Sequence, residues 1–115
     1  MKLPNAATAV VQREKVEDYL LNPAHPDNGG KAHFFEDLGF RRSEWRTLAK
    51  AFRTLAGKAD VAQSMKSPHG QKYVIVGIIE SPDGKSRRVK MIWIVDSGTD
   101  VARLVTAYPQ EDSHD

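Results

Sequence analysis

His25 lies inside the stretch Pro23-Ala24-His25-Pro26-Asp27-Asn28-Gly29-Gly30, and Lys31 follows directly after it. An imidazole is the side chain best suited to take a proton as a general base near neutral pH. A lysine ammonium beside it can hold a phosphate or stabilise the charge that builds there during cleavage. A surface-loop histidine and a solvated lysine would look the same in sequence. His25 and His33 could in principle share a metal, but the chain has no cysteine and no tight His-x-x-His or Glu-x-x-His pattern. No metal site and no cofactor are therefore expected. His69 and His114 read as exposed.

Near the other end, the alternation of a strand puts Leu104, Thr106 and Tyr108 on one face. Arg103, Val105 and Ala107 fall on the other. A threonine hydroxyl and an aromatic ring two residues apart can position a phosphate and stack a base. Arg103 would help neutralise that phosphate or, lying on the opposite face, serve the structure instead. Strands also simply prefer β-branched and aromatic residues, and on the residues alone that plainer reading stands. A second basic group, Arg41, Arg42, Arg46, Lys50 and Arg53, belongs to a helical segment. Arg46, Lys50 and Arg53 are spaced to stack on one helix face, as a row that tracks a phosphate backbone would, or as the solvated side of an amphipathic helix. Arg87, Arg88 and Lys90 enrich a later strand, to blunt an edge or to meet RNA. No nucleophile elbow, P-loop, dinucleotide fingerprint or paired-carboxylate motif is present.

Periodicity places these residues on elements. Gln12 to Leu21 reads as a helix with Val16, Tyr19 and Leu20 in one apolar stripe, ended by Asn22-Pro23. A second short helix runs from about Lys31 to Leu38, with Gly39 as its C-cap. Ser43 caps a third, which carries Trp45, Leu48, Ala49, Phe52 and Leu55 at helical spacing and stops at Gly57. From there the period is two. Asp60–Ser67, Gln71–Glu80, Arg87–Asp96 and Ala102–Tyr108 read as strands joined by turn-forming links such as Ser81-Pro82-Asp83-Gly84. Short links imply an antiparallel meander. The predicted fold is α+β: two to three N-terminal helices packed on a four-stranded antiparallel sheet. The central strands are apolar on both faces, so helices cover one face and the other, open or lightly covered, is the natural place for a site.

Composition sets the outer bounds. The 115 residues fit one domain, expected over 1–109, with a disordered acidic tail at 110–115. The net charge is +2, but the tail holds three acids and no Lys or Arg, which leaves 17 basic against 12 acidic residues, or +5. That balance favours polyanions. The absence of cysteine suits a reducing compartment, Met1-Lys2-Leu3-Pro4-Asn5 lacks the apolar core of a signal peptide, and no apolar run is long enough to span a bilayer. A cytoplasmic protein with no membrane partner is expected.

Several segments carry a resemblance: Leu3-Pro4-Asn5-Ala6, Tyr19-Leu20-Leu21-Asn22-Pro23 with His25-Pro26, Lys31-Ala32 with Phe34-Phe35, and Arg103-Leu104-Val105-Thr106-Ala107-Tyr108-Pro109. Over nearly the whole chain they resemble an uncharacterised bacterial domain family, found as small free-standing proteins and at the C-terminal ends of polymorphic toxins. The order of elements is also similar to the barnase, RelE and colicin D group of metal-independent RNases. In colicin D-like toxins a His/Lys segment of the helical half works with a Ser or Thr and an aromatic on a late strand. The resemblance implies those roles for His25, Lys31, Thr106 and Tyr108, although the order and spacing of His25 and Lys31 differ from the colicin pattern. It implies a metal-independent endoribonuclease acting on tRNA or mRNA, with an antitoxin or immunity protein as partner. His25 would take the ribose 2′-hydroxyl proton, Lys31 and Arg103 would neutralise the phosphate, Thr106 would position it and Tyr108 would stack a base. The RNA-binding surface would comprise Arg42, Arg46, Lys50, Arg53 and Arg88. The alternative is a non-catalytic RNA- or protein-binding module; an antitoxin is argued against by the basic charge. If the catalytic reading holds, the Pro23–Gly30 loop must lie against the last strand, with His25 and Thr106 opening onto one cleft.

Overall fold

The computed structural model describes residues 1–110, so the acidic tail falls, from Glu111 on, outside the described residues. Helices come first. After a 3-10 turn at Ala6–Thr8, an α-helical turn at Arg13–Lys15 runs into a π-helical turn at Val16–Leu20, and the two together are α1. Helix α2 spans Lys31–Asp37, and a 3-10 turn at Arg42–Glu44 leads into α3 at Trp45–Lys58. Strands β1 (Val61–Ser67), β2 (Gly70–Glu80), β3 (Ser86–Asp96) and β4 (Ala102–Pro109) follow, paired antiparallel in the order β1-β2-β3-β4. The architecture is the expected α+β arrangement of helices before a four-stranded meander.

Local chemistry explains most boundaries. Gly39, at φ 96°, turns the chain after α2 as a C-cap glycine does. The third helix departs from expectation at both ends. Ser43 sits inside the 3-10 turn and no side chain caps α3, while Gly57 lies within the helix rather than after it. The α3 stripe of Leu48, Ala49, Phe52, Leu55 and Ala56 is buried as its spacing requires. It packs on the sheet face formed by Ile75, Ile79, Val89, Met91 and Trp93, with Phe35 of α2 and Val16 and Leu20 of α1 completing the core. Gly77 permits the close approach, because a Cβ there would lie 2.8 Å from Leu55 Cδ1. On the opposite sheet face Val76, Lys90 and Ile92 stay half-buried and Ile78 is exposed.

Two irregularities position the site. The first is the π turn in α1, where Leu21 N donates to Val16 O at 2.9 Å. An i→i+5 bond widens the helix and brings Leu21 beside Val16 and Leu20 into the core, all three almost fully buried. Tyr19 is thereby turned to the margin of the stripe and is only half-buried. The second is a bulge in β4. Trp93 faces Leu104 but Ile92 faces Thr106, which leaves Val105 as the extra residue. The register then sets Arg103, Thr106 and Tyr108 opposite Ile94, Ile92 and Lys90, alternate residues of β3. Simple alternation separated Arg103 from Thr106 and joined Thr106 to Leu104. The bulge reverses both: Leu104 and Ala107 are buried, and Arg103 shares the face of Thr106 and Tyr108.

Candidate functional site: a cleft between the first helix, its loop and the edge strand

The loop after α1 is held by its own polar groups. His25 N donates to Asn22 O at 3.1 Å, Asn28 N to His25 O at 3.0 Å and Lys31 N to Asn28 O at 3.1 Å, a chain of turns that leads directly into α2. Asn28, 3% exposed, is the central tie. Its side-chain amide donates to Tyr19 O at 2.6 Å and Leu20 O at 3.2 Å, while its Oδ1 accepts from Ala32 N at 3.0 Å. One buried amide therefore satisfies the open end of α1 and the start of α2 together.

So fixed, the loop lies against β4. His25 and Asp27 line a cleft of about 570 Å³ with Lys15, Asp18 and Tyr19 of α1 and Val105 and Thr106 of β4. The strand is open at that point. Val10 forms a parallel bridge with Arg103, donating to Ala102 O at 2.8 Å and accepting from Leu104 N at 3.0 Å. Thr106 lies two residues beyond that cover.

Tyr19 is the hub of the cleft. Its Oη and Thr106 Oγ1 lie 2.9 Å apart, and either can donate. Its ring meets His25 edge-on at 5.0 Å between centroids. The Nζ atoms of Lys15 and Lys31 each stand 5.5 Å from the ring centroid, within cation–π range. Lys31 Nζ also donates to Asp27 O at 3.3 Å and Asn28 O at 3.1 Å. His25, Lys31 and Thr106 are thus brought together, through a residue that sequence reasoning assigned to the core stripe. Its signal was present but unread: a tyrosine in an apolar row carries a hydroxyl that needs a partner.

The orientation of His25 is chemically informative. Its Nδ1 accepts from Asp27 N at 3.0 Å. A neutral imidazole with Nδ1 so engaged carries its proton on Nε2 and meets a ligand as a donor. The cleft rim also carries carboxylates: Glu14, Asp18 and Asp27 line it. Asp18 is shared with Arg42, whose Nη2 lies 3.3 Å away.

The remaining candidates are elsewhere. Tyr108 is not among the lining residues of this cleft; its ring sits under Lys90, 5.8 Å from Nζ to centroid. Arg103 is engaged by Asp96 through two bonds, 2.7 and 3.0 Å. That pairing holds the Asp96 carboxyl below, and the Arg103 guanidinium above, their usual ranges. Arg46 lies against the Trp45 ring, 5.1 Å from its centroid. Lys50 and Arg53 line a groove of about 710 Å³ between α3 and Ala6-Ala7, which has no residue in common with the His25 cleft. Arg88 lines a further cleft with Arg87, Phe34 and Pro109. Among the described residues no three His, Asp or Glu side chains cluster as metal ligands would. No helix among them is long and apolar enough to cross a membrane.

The profile of a family described as a domain of unknown function, DUF6883, matches residues 2–111. The chain belongs to that family. No curated protein sequence matches it. The DUF6883 fold is, however, seen elsewhere. A chain of a contact-dependent growth inhibition toxin–immunity protein complex from Klebsiella pneumoniae 342 superposes on it with a TM-score of 0.74. The two are 16% identical, and the match covers 93% of this chain and 97% of that one. At that identity the likeness establishes a shared fold.

Proposed function

We propose that this DUF6883 domain is a toxin-like, metal-independent endoribonuclease that cleaves tRNA or mRNA in the cytoplasm and is held in check by an immunity protein. The observation that carries the reading is the meeting of His25, Lys15 and the Tyr19–Thr106 hydroxyl pair in one cleft beside β4, with Lys31, outside the cleft lining, also against the Tyr19 ring. The likeness to a chain of a toxin–immunity protein complex supports the toxin part of it.

The reaction this site suits is transesterification. The ribose 2′-oxygen attacks the adjacent phosphorus and the bond from phosphorus to the 5′-oxygen breaks, leaving a 2′,3′-cyclic phosphate and a 5′-hydroxyl. Lys31 and Lys15 supply positive charge for the phosphate. The Tyr19–Thr106 pair shares one proton internally and has a second O–H to donate outward. With Nδ1 engaged by Asp27, His25 serves as an Nε2–H donor to a phosphate oxygen, in place of the base role that its residue type first implies. The 2′-proton then passes to a rim carboxylate, Glu14 or Asp27, and the departing 5′-oxygen takes a proton from water in the open cleft to become the 5′-hydroxyl. Arg103, committed to Asp96, holds the strand, and Tyr108 serves RNA outside the cleft.

The test is incubation of the purified protein with total tRNA in EDTA. Discrete fragments ending in cyclic phosphate are expected. Intact RNA after prolonged incubation sinks the reading.

The three rim carboxylates favour a second reading, a non-catalytic module that binds RNA or protein through the same surface. Replacing His25 by alanine separates the two. The enzyme reading requires cleavage to vanish with the fold intact, whereas the binding reading expects little change.

A further inference from the structure

We infer that a second cleft, at the far end of β4, is a nucleotide subsite that receives single-stranded RNA as it leaves the His25 cleft. This rests on the endoribonuclease reading for its substrate class. The cleft, about 880 Å³, is lined by Phe34 of α2, Lys85 just before β3, Arg87 and Arg88 at its start, Ile78 and Pro109.

Its chemistry matches a nucleotide. Among the described residues that line it, three cations, Lys85, Arg87 and Arg88, meet one carboxylate, that of Asp37. Lys85 is tied down by its Nζ, which donates to Asp37 O at 2.9 Å, so its charge is fixed in place. Phe34 is half-buried and backed edge-on by Phe35, with centroids 5.0 Å apart and ring planes at 75°. A ring braced in this way is a preformed platform for a base, and basic grooves with aromatic platforms are how single strands are bound.

Its placement matches a continuous path. Thr106 of the first cleft and Pro109 of the second lie on the same strand, about 10 Å apart by the strand rise. Lys31 and Phe34 are three residues apart on α2, the spacing of neighbours on one helix face. Tyr108, with Lys90 over its ring, stands on β4 between Thr106 and Pro109 in sequence. The two clefts share no lining residue, and β4 is the element that joins them.

The probe is a fluorescein-labelled, 2′-O-methyl 12-mer, which is single-stranded and cannot be cleaved, read by anisotropy at several salt concentrations. Phe34→Leu keeps apolar volume and removes the ring; it should weaken binding about 5- to 100-fold, the range of one lost base stack. Arg87→Ala should weaken binding and lower the slope of log K against log salt by about 1. Lys66→Ala, on β1 at the other edge of the sheet, should bind as wild type does. Thermal melts of each variant exclude misfolding. The subsite is overturned if Phe34→Leu and Arg87→Ala bind like wild type, if Lys66→Ala loses as much, or if the wild-type protein binds no RNA and only a protein partner. Failure of the endoribonuclease reading looks different: the 12-mer binds through Phe34 and Arg87, yet no RNA is cut in EDTA.

Discussion

The two ends of β4 differ in what their polar groups are doing. At Arg103 the polar groups are engaged: the guanidinium holds Asp96 through two bonds, and the backbone on either side pairs with Val10. At Thr106, past the bulge at Val105, the hydroxyl meets a single partner, Tyr19, at the edge of an open cleft. The same strand therefore has a closed end that stabilises and an open end that keeps chemistry available. A polar group with all its bonds satisfied has little left to offer a substrate, so the difference separates the structural residue from the candidate functional one.

That contrast can be broken by substitution. The largest effect is expected at the open end. His25→Ala should lower tRNA cleavage by about 10²- to 10⁴-fold, the usual scale for loss of a positioned donor or acid–base group, with the melting temperature nearly unchanged. A variant that cleaves normally would end the case for the cleft. Asn28→Ala should act on both properties. It leaves the Leu20 carbonyl and the Ala32 N–H without their partner and the Tyr19 carbonyl with Asn22 N alone, at a cost of about 1–3 kcal/mol in a denaturant titration. Cleavage should fall with it as the loop loosens.

Tyr19→Phe keeps the ring against His25 and the two lysines but deletes the hydroxyl. About 0.5–1.5 kcal/mol of stability should be lost, and cleavage should drop by a clearly larger factor than that alone explains. Equal losses in Tyr19→Phe and in a distant variant of matched stability would make Tyr19 purely structural.

The smallest effect belongs to the closed end. The Asp96 carboxyl is held low by Arg103, so the pair's stabilisation is present above the usual carboxylate range, near pH 3.9. It is lost as pH falls through the lowered value of the folded state. Asp96→Asn should therefore melt slightly below wild type at pH 6 and converge with it in strong acid, with cleavage little affected. Divergence in acid rather than convergence would reverse the assignment.

Much of the arrangement was legible because it depends on near neighbours in the chain. The α3 stripe, the period of two after Lys58, the turn at Ser81-Pro82-Asp83-Gly84 and the capping role of Gly39 are each decided within a few residues. The loop at Pro23–Gly30 was likewise visible as a fixed, irregular segment. What was not legible were the departures from ideal periods. A π turn and a bulge each displace the pattern by one residue, and each arises from packing against elements far away in sequence.

Those two displacements decide the candidate site. The amino-acid sequence by itself determined which residue types were available, the order of helices and strands, and the meander that short turn-rich links impose. It did not determine that Tyr19 meets Thr106, 87 residues on, or that Val10 covers only one end of β4. Nor did it determine that Arg103 is spent on Asp96. Local pattern specifies which face of an element is apolar. Only the packed core, by taking in Leu21 and expelling Tyr19 to its margin, settles which polar groups are left at its edge.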